Sequence, residues 1–210
     1  MLPQKFCRGI DINLWNTTLY HINVDSRPYV GAKVDKLILR GVKWATVRAS
    51  AGSVIDRTFE RNYQSLVSGG IEVIPYHWYN PKLGYIEQVH TFLQAIGPAH
   101  LSAGAKLMID LEDTKTIKAY KGIFADVGRW LAATDAQLIY LNPDFMRRYW
   151  NKEYWLDQYP LVIAHWEAPA PKVPIPWSPG CWYAWQYTTL EDGISFGLTT
   201  KEAALYVKGC

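Results

Sequence analysis

The chain has 210 residues, 49% of them hydrophobic and 20% charged, with a formal net charge of +3. That balance predicts one globular domain with a substantial core and excludes a disordered chain; no apolar run is long enough to span a bilayer, so membrane insertion is not expected. The mild basic bias suits an anionic polymer surface, but there is no dense Lys/Arg run, and nucleic acid is not an expected partner.

Cys7, Cys181 and Cys210 are an odd number of cysteines at no metal spacing, so neither a disulfide framework nor a metal site is expected, and a reduced compartment is the default. The five histidines are scattered, with no H-E-x-x-H pair, so no metal and no cofactor is implied. The N-terminal M-L-P-Q-K-F-C-R lacks the apolar core of a signal peptide. Ten Trp and 14 Tyr ask for a use beyond core filling: flat rings with polar edges are good platforms for sugars.

In chain order, Arg8 to Trp15 reads as a first strand, with Asp11 and Asn13 at a period of two. A helix is predicted from about Tyr29 to Arg40, stopped by Gly41, and a second strand over Trp44 to Ala49 with Arg48 at its end. Asp56 to Ser68 carries Phe59, Tyr63, Leu66 and Val67 at helical spacing; Ile71 to Trp78 is a third strand. Gly84 to Gly97 is a helix with Ile86, Val89, Leu93 and Ile96 as its apolar face. After the next strand, a longer helix runs from about Thr116 to Ala133, with Ile117, Tyr120, Phe124, Val127 and Leu131 on one side. Gln137 to Leu141 and Leu161 to Trp166 are strands, with a short helix to about Trp150 between them. The proline-rich stretch from Glu167 to Gly180 is an extended loop. Cys181 to Thr188 is a further strand, and Thr199-x-x-Glu202 reads as the capping box of a final helix to about Val207. Strands alternating with helices imply a largely parallel sheet, either a barrel or doubly wound.

The strand between those two central helices carries the strongest chemical signal. In K-L-M-I-D-L-E-D-T, Lys106 to Thr114, an apolar run ends in Asp110 and Glu112, which a period of two sends to the same side. Mutual repulsion and partial burial raise the pKa of at least one of them. A protonated carboxyl beside an ionised one is what glycoside hydrolysis needs. Asp11, Arg48, Tyr76, Tyr140, Trp166 and Gln186 also fall at C-terminal strand ends, the face that carries active sites in barrels.

The order of these motifs resembles glycoside hydrolase family 25, the lysozymes of fungi and phage endolysins. The residues that carry the resemblance are G-I-D-I-N-L-W-N from Gly9, A-T-V-R-A-S-A-G from Ala45, D-R-T-F-E-R-N-Y from Asp56 and G-G-I-E-V-I-P-Y-H from Gly69. M-I-D-L-E-D follows from Met108, L-I-Y-L-N-P from Leu138, L-V-I-A-H-W from Leu161 and A-W-Q-Y-T-T from Ala184. The resemblance implies a single α/β domain over residues 1–210, with its core over about 8–207, folded as an irregular, TIM-barrel-like (β/α) barrel. It implies cleavage of the β-1,4 bond after N-acetylmuramic acid in bacterial peptidoglycan, by a monomer. Carried over by position, Glu112 is the general acid, Asp110 assists the reacting sugar and Asp11 tunes the pair. Tyr76, Tyr140, Trp185 and Gln186 match groove positions, as does Arg48, for which a structural ion pair is the alternative. Asn13 stands where the family has a small hydroxyl residue. G-L-T-T-K-E-A-A, with Glu202, stands where it has another aspartate.

Two other readings stay open on the residues alone: a chitinase-like barrel glycosidase using its substrate's acetamido group, and a non-catalytic wall-binding barrel. A lysis protein without a signal peptide is expected either in the host cytoplasm before lysis or in a virion.

Overall fold

Among the described residues nine strands share one sheet, and pairing between its first and second strands in chain order curls that sheet into a ring. The computed structural model describes residues 7–12, 32–39, 41–99, 101–112, 122–149, 152–166, 168–191 and 202–207. The strands are β1 (Cys7–Ile12), β2 (Val42–Ala51), β3 (Val54–Ile55), β4 (Glu72–Trp78), β5 (Met108–Leu111), β6 (Leu138–Leu141), β7 (Leu161–Ala164), β8 (Ala184–Glu191) and β9 (Glu202–Val207). The helices are α1 (Ala32–Leu39), α2 (Phe59–Ser68), α3 (Tyr85–Ile96), α4 (Ile123–Thr134) and α5 (Pro143–Tyr149). Around the ring the order is β1-β2-β4-β5-β6-β7-β8-β9 and back to β1, with β3 attached to the outer end of β2. Neighbours from β1 to β8 run parallel; β9 is antiparallel to both β8 and β1. This is an irregular (β/α) barrel, and the doubly wound alternative is set aside by the ring closure.

Strand alternation divides the apolar residues into two cores. Trp44, Ile74, Tyr76, Met108, Leu138, Tyr140, Val162, Ala164 and Ala184 pack together inside the ring. Their sequence neighbours Ala45, Val47, Ile109, Ile139, Leu141 and Ile163 join the helices in the larger outer core. Gly9 belongs to the inner layer: a Cβ there would overlap the Trp44 indole, so glycine is what lets tryptophan plug the ring at that level.

The last element differs from the sequence expectation. Glu202–Val207 is a strand rather than a capped helix: Leu205 pairs in register with Gln186 of β8 on one side, and Ala204 pairs with Ile10 of β1 on the other. Without it, β1 and β8 would each present an unpaired edge, so the ladder outweighs the helical propensity of E-A-A-L. Thr199 of the expected capping box lies outside the described residues, as do the expected helical starts at Tyr29 and Thr116 and the residues Asn13, Ile117 and Tyr120.

Helix α3 also turns differently. Ile86 and Leu93 are exposed, and the buried face is Gln88, Val89, Thr91, Phe92, Ala95 and Ile96. Gln88 decides the rotation. Its Oε1 accepts from the Asn80 backbone N–H at 2.8 Å, and its Nε2 donates to the carbonyls of Asn80 and Leu83 at 3.0 and 3.2 Å. With the amide so oriented, the 3.0 Å contact to His77 Nε2 requires the histidine to donate from that nitrogen. Nδ1 then accepts from Ser50 Oγ at 2.8 Å. Burial pushes the His77 imidazole down to about 4, and its ring stacks on Trp130. A neutral, fully partnered histidine is therefore part of the seam between β4 and α3.

Candidate active site

The C-terminal ends of β1, β2, β4 and β5 bring acids and one guanidinium together inside the ring. Asp11 is opposite Thr46 in the β1–β2 ladder, and Thr46 Oγ1 donates a short hydrogen bond to Asp11 Oδ1. Burial pushes the Asp11 carboxyl up to about 6, against hydrogen bonds from Thr46, Ile12 and Tyr76 and the attraction of Arg48, which all pull it down. Asp110 is buried on β5, and its Oδ1 has no hydrogen-bond partner among the described residues. Burial, then the charges of Glu112 and Asp11, push its carboxyl well above the usual range, with Arg48 acting in the opposite sense. Glu112 is half-buried, one residue beyond β5.

Arg48 is the cation of this cluster. Its guanidinium pairs with Asp56 at 3.1 Å, and that carboxylate also accepts from the Thr58 backbone N–H at 3.1 Å and from its hydroxyl. Asp56 thus ties the end of β2 to the turn that starts α2 and holds Arg48 with its charge beside Asp11 and Asp110. The sequence offers Arg48 as a groove residue with an ion pair as the alternative; the ion pair is what it makes.

On the far side of Glu112, Tyr140, Gln186 and Trp166 form a second polar group. Gln186 Oε1 accepts from the Tyr140 hydroxyl at 2.8 Å and from Trp166 Nε1 at 2.7 Å. The Tyr140 oxygen is also 3.4 Å from Glu112 Oε2. A phenol has one hydrogen, and the shorter contact takes it. Tyr76 and Tyr140 are both buried in the inner core, and burial together with the neighbouring carboxylates pushes both hydroxyls well above their ordinary value.

Trp185 is a correction to the predicted groove set. Successive strand residues face opposite ways, and Ala184 and Gln186 face inward, so the Trp185 indole lies in the outer core beside Trp182 and donates from Nε1 to the His165 carbonyl at 2.9 Å. Asp56 and Thr46 were not singled out from the sequence, although the D-R-T start of α2 contains the signal of an Asx-type turn.

A groove of about 700 Å³ opens beside this cluster. Glu112 lines it; Asp11, Asp110 and Arg48 do not. Its other walls come from α5, the end of β7 and the proline-rich segment, through residues such as Asn142, Arg148, Trp166 and Lys172. Among the described residues no group of acidic, histidine or cysteine side chains is arranged to hold a metal ion.

The profile of glycosyl hydrolases family 25 matches residues 19–193. The chain belongs to that family. Solved structures agree in fold. A bacterial lysozyme from Streptomyces coelicolor superposes with a TM-score of 0.75 at 18% identity, covering 99% of this chain and 94% of that one. A muramidase from Acremonium alcalophilum gives 0.76 at 16% identity, with 97% and 94% covered. The catalytic domain of an endolysin from a bacteriophage of Listeria monocytogenes gives 0.65 at 16% identity, with 98% and 95% covered. No curated protein matches the chain. Among the described residues of this family-25 barrel, the carboxyls of Asp11, Asp110 and Glu112 meet the fixed guanidinium of Arg48, and of these Glu112 reaches the groove.

Proposed function

We propose that this family-25 hydrolase is a muramidase, cutting the β-1,4 bond between N-acetylmuramic acid and N-acetylglucosamine in bacterial peptidoglycan. The observation that carries the reading is the position of Glu112: the one acid of the cluster that lines the groove, backed by two acids that burial keeps from ionising freely.

Burial and the charges of Glu112 and Asp11 push the Asp110 carboxyl well above its usual range, because each ionisation in a buried site raises the cost of the next. The cluster therefore retains a proton. Glu112 is the member able to pass it to a glycosidic oxygen in the groove. As the glycosidic bond breaks, positive charge develops at the anomeric carbon. An ionised Asp110 steadies that charge or orients the substrate's acetamido group, and Arg48 and Asp11 set how readily Asp110 loses its proton. All these groups come from one chain, so a monomer suffices. The likeness to a phage endolysin supports action on a cell wall from the host cytoplasm or from a virion. Among the described residues no helix is long and apolar enough to cross a membrane.

The test is digestion of purified peptidoglycan with mass spectrometry of the products. Fragments ending in reducing N-acetylmuramic acid are expected. Fragments ending in N-acetylglucosamine, or cleavage of chitin oligomers with peptidoglycan inert, would replace this reading with another glycosidase. Saturable wall binding without new reducing ends would replace it with a binding module.

A further inference from the structure

The groove that Glu112 opens onto has a charged far wall that the hydrolytic step does not use. Arg147 and Arg148 from α5 and Lys172 from the proline-rich segment line it; among the described lining residues the acids are Asp144, beside the arginines, and Glu112. Asp144 sits 3.2 Å from Arg147 and 4.0 Å from Arg148, in pairs that are more than half exposed and therefore screened. The wall is thus cationic on balance. It is also built to hold its shape: His165 Nδ1 accepts the Lys172 backbone N–H at 2.9 Å, which pins the proline-rich segment to the end of β7. That bond leaves the ring hydrogen on His165 Nε2, a further donor at the same wall. Trp166 and Ile175, both substantially exposed, add apolar surface beside the cations.

A neutral polysaccharide has no use for such a wall. A muramic acid residue carries a peptide stem on its lactyl group, and that stem has free carboxylates. We propose that the cationic wall is a subsite for the stem-peptide carboxylates of the substrate; the assignment rests on the muramidase reading. With the acid and the cations in one groove of about 700 Å³, a sugar held at Glu112 can lay its stem along α5. The subsite makes the enzyme select glycan by the charge of its stems.

The test uses peptidoglycan freed of teichoic acid, in native form and with its stem carboxylates converted to neutral methylamides. The readout is the ratio of kcat/KM on native to amidated wall. The intact protein should prefer native wall by about fivefold at low ionic strength, from a few exposed charge contacts, and lose the preference in high salt. The R148Q/K172Q double variant, changed at two exposed positions, should show a ratio near one. A double variant that keeps the parent's ratio, or a parent with no preference, would overturn the subsite and leave the muramidase reading standing. A preference seen only on walls that retain teichoic acid would assign the cations to phosphate instead and overturn it as well. If the parent releases no reducing ends from either wall, the muramidase reading falls and takes the subsite with it.

Discussion

Burial raises the pKa of both Asp11 and Asp110, and the proposed mechanism uses Asp110 in its ionised form. For Asp11 the sign is explicit. Its folded-state pKa, about 6, lies above the usual 3.8, so its stabilising contribution is full below pH 3.8 and is lost as pH rises through 6. Asp11→Asn removes that cost. The variant should be more stable than the parent at pH 7 by about 2 kcal/mol, discounted for partial exposure, with the difference gone below pH 4. Thermal unfolding at both pH values checks this, and an equal or lower midpoint at pH 7 would contradict it. The same variant should be slower on peptidoglycan, the usual exchange between stability and activity at a strained site. The paired acids were legible in the sequence because D-x-E matches the period of a strand. Strand alternation sends Gln186 into the ring and Trp185 out of it, because adjacent strand residues cannot both line one groove. The hydrogen bond of Thr46 to Asp11 and the pairing of Asp56 with Arg48 are contacts of the tertiary fold, which no local pattern records.

Among the elements, α3 shows how a polar residue can set a helix's rotation. A count of apolar side chains favours the face of Ile86 and Leu93, yet both are exposed, because Gln88 gives the 80–83 turn and His77 their hydrogen-bond partners from the other side. Gln88→Leu keeps the volume and strands those buried groups. It should cost about 2–4 kcal/mol in urea unfolding, since several unsatisfied partners remain, and a loss below 1 kcal/mol would show that the network is replaceable. Most other elements were legible, from Phe59, Tyr63 and Leu66 on α2 to the apolar strands β5, β6 and β7, because their patterns agree with their tertiary surroundings. Strand β9 is not, because one of the two edges that decide its state, β1, lies nearly the whole chain length away in sequence.

For the whole molecule, ring closure is what puts the end of β1 beside the end of β5. Asp11 and Asp110 are 99 positions apart, and the charge of Asp11 raises the Asp110 carboxyl only because the barrel brings both to its interior. A shared proton predicts a bell-shaped dependence of kcat/KM on pH: activity falls in acid when the cluster holds too many protons, and in alkali when Glu112 has none to give. A profile that rises or falls monotonically from pH 3 to pH 9 would remove the coupled cluster from the mechanism.

The central claim is that Glu112 delivers that proton. The measurement that tests it most directly is the rate of reducing-end release from peptidoglycan by Glu112→Gln beside the parent, with circular dichroism to show that both are folded. The glutamine keeps the shape and the approach to Tyr140 but has no acidic proton. The rate should fall by about 10²–10⁴-fold with the fold intact. A folded Glu112→Gln protein that lyses walls at the parental rate would contradict the account.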